Sequence, residues 1–130
     1  MAVDLNNKAE EIITGNDNIV IVNHFDGLRG GRALDVTGFN YPVIRAGHVI
    51  IQDDSSKKYK PMPLSAEDTY DSLPGSHTYV GILVASITTD KPFAAIMTRG
   101  TINPKAAPAD FATIQEAFHA AVPLIDFQED

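Results

Sequence analysis

The chain contains no cysteine. That excludes disulfide staples, thiolate metal sites and cysteine nucleophiles. Basic residues are scarce beside acidic ones, 10 Lys and Arg against 17 Asp and Glu, for a formal net charge of −7. Coating nucleic acid requires surplus Lys and Arg to meet phosphates, so no nucleic-acid partner is expected. A charge of this sign and size suits a protein that must stay dispersed. Long apolar runs are also missing. No stretch approaches the roughly 18 residues of a membrane-spanning helix, so no membrane partner is expected. The start, MAVDLNNKAEE, lacks the basic-then-apolar pattern of a secretory signal, which predicts that the protein stays in the cytoplasm where it is made, unless something assembles around it.

What is present is an ordinary globular mixture. The chain has 130 residues, 44% hydrophobic and 21% charged. This length predicts one domain, able to bury about two-thirds of the surface its unfolded form exposes. Residues 79–103 organise the rest: two apolar, β-branched runs, 79–87 and 93–102, flank Thr88-Thr89-Asp90-Lys91-Pro92. That is the pattern of a β-hairpin. In the first run, Tyr79, Leu83, Ala85 and Ile87 alternate with Val80, Ile82 and Val84, so the strand is apolar on both faces and must be covered on both.

Residues 1–17 read as a polar arm with a short helical stretch from Asp4 to Gly15, and 18–23 (NIVIVN) as a short strand. Residues 25–32 hold three glycines and two arginines, a loop or hinge. Two strands follow, at 33–37 and 43–53, punctuated by Tyr41-Pro42 and turned at Ala46-Gly47. Residues 53–57 (DDSSK) form a polar turn, because Asp and Ser bond their own backbone, and 58–62 is the return strand. Residues 64–76 read as a long loop. Residues 109–121 predict a helix, with Pro108 in its first turn and Phe111, Ile114, Phe118 and Val122 at helical spacing. A last strand spans 124–127.

Chemistry-bearing motifs are few. His24, His48, His77 and His119 show no paired spacing for a metal. Asp53-Asp54-Ser55-Ser56 lacks the glycine and terminal glutamate of a calcium loop. Residues 27–32 lack the Gly-Lys-Ser/Thr ending of a phosphate loop. No serine stands in a nucleophile elbow. Phe93, Phe111 and Phe118 fit core packing better than a ligand pocket. No enzyme, cofactor or metal is expected, and a binding or structural part is.

Four pieces, in order, carry a resemblance: residues 48–62 (HVIIQDDSSKKYKPM), 77–86 (HTYVGILVAS), 94–102 (AAIMTRGTI) and the helix-then-strand end at 107–127. Together they resemble the lambda-type head decoration proteins of tailed bacteriophages. Residues 33–49 (ALDVTGFNYPVIRAGHV) look more like gut-phage head fibre sequences. The resemblance implies a structural virion protein that binds the capsid exterior as a homotrimer and stabilises the mature head. Its partners would be itself and the major capsid protein.

The expected fold is mainly β, a β-rich α+β domain of barrel or sandwich type, with one C-terminal helix and a flexible N-terminal arm. Residues 1–32 would be arm and hinge, and 33–130 the decoration domain. The resemblance places capsid binding in the arm, at Asn18, Ile19, Val20, Ile21, Val22 and Asn23, by strand addition. Trimer or core packing is expected at Tyr79, Gly81, Leu83, Gly100, Phe111 and Phe118, with another backbone close to Gly81 and Gly100. Two rival readings are a surface domain that binds a host glycan through Tyr41, Tyr59 and Tyr70, and a small enzyme in which His48 or His77 meets Asp53 or Asp71 in a cleft.

Overall fold

The computed structural model describes residues 17–66 and 68–128. The helical stretch expected within residues 1–16 lies outside them. The elements are α1 (Asp17–Val20), β1 (Ile21–Gly27), β2 (Arg32–Ala33), β3 (Val43–Ile44), β4 (Val49–Asp53), β5 (Tyr59–Pro61), β6 (Leu64–Ala66), β7 (Thr69–Tyr70), β8 (His77–Leu83), β9 (Ile87–Thr88), β10 (Phe93–Ala94), β11 (Ile96–Ile102), α2 (Gln115–Ala121) and β12 (Ile125–Phe127). The principal sheet runs in the order β1-β11-β8-β4-β5, with β12 added parallel to the far half of β11. Its remaining pairs are antiparallel. The fold is β-rich with one C-terminal helix, as expected, but β1 and β5 do not meet and no barrel closes.

Both faces of the principal sheet are buried. On one, Val49, Ile51, Ile82, Met97 and Ile102 pack against Phe111, Ile114, Phe118 and Val122, so the apolar stripe at 111–122 does face the core. On the other, Ile50, Leu83 and Ile96 pack with Leu34, Ile44 and Ala94. The second cover comes from the chain itself: the two-stranded pairs β2–β10 and β3–β9 supply Ala94 and Ile44. No symmetry mate is needed to complete the core. Burying a side chain such as Phe118, at 0% exposure, stabilises the fold by about 2–3 kcal/mol.

The central run differs from simple alternation. Opposite β4, Ile50 pairs with Gly81 but Ile51 pairs with Tyr79, so β8 carries an extra residue at Val80. A bulge of this kind shifts the phase of every side chain beyond it. Tyr79, Ile82 and Val84 therefore join the helix side, while Val80, Leu83 and Ile87 join the other. Tyr79 and Leu83 lie on opposite faces, not on one. The hairpin is also shorter than its apolar runs. Ile96 and Met97 pair with Leu83 and Ile82, whereas β9 and β10 leave to pair with β3 and β2.

Three further departures have local causes. The helix starts at Gln115 rather than near 109. Asp110 accepts a bond from Ala112 N (2.8 Å), and its own N–H donates to Asp68 O (2.9 Å). Such side-chain turns compete with helical bonds. The expected loop at 64–76 contains the β6–β7 hairpin, in which Leu64 pairs with Tyr70. The division at 32/33 does not mark where the sheet begins, because β1 pairs with β11 along its length. Gly81 and Gly100 do meet a close backbone, but an intrachain one: a methyl group at Gly81 would clash with the Met97 carbonyl, and one at Gly100 with the Asn23 carbonyl.

Candidate partner-binding edge

The sheet's first edge is α1 followed by β1. Asp17 fixes its start: Ser86 Oγ and Ser86 N donate to the Asp17 carboxylate at 2.8 and 3.0 Å, and Ser86 Oγ accepts from Ala46 N at 3.0 Å. Val20, 1% exposed, plugs the interior beside Gly47, and its carbonyl accepts from Asn103 N at 2.8 Å. From Ile21 the chain runs against β11, with register irregularities at Ile21/Asn23, His24/Asp26 and Asp26/Gly27. No strand pairs with the other side of β1 among the described residues.

Exposure along β1 does not alternate: every residue from Val22 to Asp26 is exposed. Ile19, Val22 and Phe25 are 52%, 39% and 65% exposed, although strict alternation would turn Val22 and Phe25 to opposite faces. The Phe25 ring lies under the Arg99 guanidinium of β11, 5.9 Å from ring centroid to Cζ. A cation over an aromatic face is attracted by its quadrupole, which holds the ring in place on the surface. The edge thus exposes three large apolar side chains, Ile19 in α1 and Val22 and Phe25 in β1, among the exposed polar residues Asn23, His24 and Asp26.

The expected arm residues are thus split. Asn18, Ile19 and Val20 lie in α1 rather than in a strand; Ile21, Val22 and Asn23 open β1. Val20 is interior and Ile21 half-buried, leaving Ile19, Val22 and Asn23 outward. Phe25 was not singled out in the sequence, because FDG reads as the start of a loop. The signal for it was the β-compatible run continuing from Val22 through His24. Tyr79, Gly81, Leu83, Gly100, Phe111 and Phe118 are all interior, so they pack the core of one chain. Phe93, by contrast, is exposed.

The histidines do not converge. His48 is buried, its Nε2–H donating to Met62 O at 2.8 Å, and burial drives its pKa from 6.5 down to about 4. His77 Nδ1–H donates to Gly75 O at 2.8 Å, and its Nε2 lies 3.8 Å from Asp53. Hydrogen bonds from Ser55 and Ser56 hold the Asp53 carboxyl at about 2, far below what a general base at neutral pH requires. Asp71 instead accepts from Ser72 N. His24 and His119 are exposed. Among the described residues, no group of three or more His, Asp or Glu is placed to hold a metal ion.

The turn at Asp53 folds as its residues dictate, with Oδ1 accepting from Ser55 N, Ser55 Oγ and Ser56 N. In the glycine-rich loop, Arg32 donates to the carbonyls of Arg29 and Gly31 and lies over the Tyr59 ring, which makes it a brace within the fold. Tyr70 is not an exposed aromatic: it is 4% exposed, and its hydroxyl accepts from Val49 N. Tyr41 and Tyr59 are half-buried.

No helix among the described residues is long and apolar enough to cross a membrane. Comparison with protein-family models, with curated proteins and with solved structures gives no match.

Proposed function

We propose that this chain is a structural virion protein that decorates the exterior of a tailed-phage head as a homotrimer and stabilises the mature shell. The exposed apolar side chains Ile19, Val22 and Phe25 along the α1–β1 edge are the observation that carries this reading. Single exposed apolar side chains are commonplace, but several along one edge strand mark a contact surface. The edge is held rigidly by the Asp17–Ser86 bonds and the buried Val20, so little ordering cost falls on binding. The capsid partner, the trimer and the virion location rest on the resemblance of the four sequence pieces. Three copies of one modest contact on a trimer raise avidity by about 10²–10⁴, which selects a correctly spaced lattice.

The test is co-sedimentation with expanded, DNA-filled heads of the phage that encodes the chain, with solution mass measured in parallel. Phe25→Ser should keep the fold and the trimer mass but weaken decoration by about 30-fold, as for a central aromatic contact. Undiminished decoration by Phe25→Ser would remove the edge from the interface. A monomeric mass would remove the trimer.

A further inference from the structure

The opposite end of the sheet carries a second feature, which does not depend on the capsid reading. A cavity of about 240 Å³ lies beside β5, between the 35–41 loop and the start of β8. Phe39 and Tyr41 form an aromatic wall, their rings edge-to-face with centroids 5.7 Å apart. That wall is built in from below: Phe39 also meets the buried His48 ring at 5.6 Å, and His48 meets Tyr70 at 5.3 Å. A second cavity, about 610 Å³, shares Phe39, Tyr41 and Leu64 with the first. One pair of rings therefore stands between two adjoining spaces.

The polar groups around the first cavity are a mixed set of donors and acceptors with capacity left over. Asp35 Oδ1 accepts from Thr37 N and Oγ1, which lowers the pKa of Asp35 and keeps it ionised. Its Oδ2 has no hydrogen-bond partner among the described residues, and neither the Asn40 amide nor the Tyr41 hydroxyl has one. Lys60 and His77 contribute nitrogens held only at 3.9 and 3.8 Å from Asp53.

We propose that this cleft binds a neutral saccharide, one sugar ring seated in the smaller cavity against Phe39 and Tyr41 and a second continuing past them. A sugar presents an apolar C–H face to an aromatic ring and a rim of hydroxyls that both donate and accept. Those are the two kinds of surface this cleft supplies. The Asp35 carboxylate disfavours phosphates and other anions. A peptide adding as a strand finds no edge here, because Asp35 N already donates to Tyr59 O, Leu34 bridges Tyr59, and Pro61 has no N–H.

The experiment is an amide chemical-shift titration of the isotope-labelled full chain. The probes are glucose, galactose, N-acetylglucosamine, cellobiose, lactose and diacetylchitobiose, with a proline-rich decapeptide as the competing class. At least one saccharide should bind with a Kd of about 1 mM or tighter, shifting residues within 35–41, 60–64 and 74–77. Asp35→Asn keeps the Oδ1 acceptor of the turn, and Asn40→Ala changes an exposed side chain, so both should fold. Each should weaken binding about tenfold. The proposal is overturned if no saccharide shifts these residues at about 20 mM, if the shifts fall elsewhere, if both variants bind like the parent chain, or if only the peptide binds. None of these outcomes bears on head decoration, which is read with capsids and at the other edge.

Discussion

Acidification from pH 7 to 5 should destabilise this protein through one side chain, His48. The imidazole is buried, edge-on to Phe39 and Tyr70, with Nε2–H given to the Met62 carbonyl. Desolvation is the larger influence and lowers its pKa from 6.5 to about 4; the Met62 bond opposes it weakly. Between those values the unfolded chain binds the proton and the folded chain does not. The effect of His48 on stability is therefore absent above about pH 6.5, grows as pH drops and levels off below about pH 4. The whole change amounts to about 3 kcal/mol, of which about 2 kcal/mol should be gone by pH 5.

Urea unfolding at pH 7, 6 and 5 measures this directly. His48→Gln supplies an amide donor for Met62 O but takes up no proton. The variant should be less stable at pH 7 by about 1–2 kcal/mol, having lost two aromatic contacts, and should lose almost nothing further down to pH 5. Asp53, near 2, and Asp35, below its ordinary value, both titrate below this pH range. If His48→Gln and the parent chain lose the same stability between pH 7 and 5, the assignment to His48 is wrong.

Other perturbations test the frame around the binding edge. Gly81→Val drives a side chain into the Met97 carbonyl and should cost about 3 kcal/mol, a fall in Tm of roughly 10 °C, within a single chain whatever its oligomeric state. An unchanged melting curve would contradict the packing of β8 on β11. Asp17→Ala removes both bonds to Ser86 and should lower stability by about 1–2 kcal/mol while leaving the mass unchanged, as read by chemical denaturation. Removal of residues 1–16 keeps those bonds. The truncated chain should still co-sediment with heads through the β1 edge; loss of co-sedimentation would move the contact to residues 1–16.

Legibility in the sequence followed the range of the interactions involved. The β4 strand, the Asp53 turn and β5 were readable because each rests on neighbours: an apolar run, Asx chemistry, a return strand ending at proline. The stripe Phe111, Ile114, Phe118 and Val122 was readable as a buried face, although its first turn is not helical. Asp110 meets Asp68 there, a contact made only once the β6–β7 hairpin has folded against it. The bulge at Val80 left one local mark, Gly81, because a glycine inside a strand often accompanies a bulge; glycine equally suits a close backbone approach, so the shift in phase does not follow from it. The bulge nonetheless decides that Tyr79 and Leu83 part company. Ile19 and Val22 were named as contact residues for a strand, yet they reach the surface through a helical turn and an irregular register. The cleft was least legible. His77 with Asp53 is one of the pairings the sequence suggests, and Tyr41 stands out as an aromatic, but only the tertiary fold brings the 35–41 loop over β5 and next to Pro74 and His77.

The two edges of the principal sheet differ in a way that bears on what each is for. An open edge invites pairing with other chains, and folded proteins suppress this with proline, charge, bulges or a covering segment. At β5 the suppression is thorough: Pro61 offers no donor, and Leu34 and Asp35 occupy the Tyr59 backbone. The saccharide proposed there would therefore be met by side chains around a cavity rather than by the strand edge. At β1 the bulged register and Asp26 deter a long regular ladder, yet Val22 and Phe25 remain outward, where suppression alone would favour lysine or glutamate. A strand that needed only to stay unpaired would not hold a phenylalanine at 65% exposure under an arginine. Under the proposed function, the combination would select against indiscriminate strand addition while keeping an apolar contact for the capsid. It follows that a charge at Val22 or Phe25 should improve solubility of the isolated chain and weaken its assembly, whereas one at Pro61 or Tyr59 should do neither without first disturbing the fold.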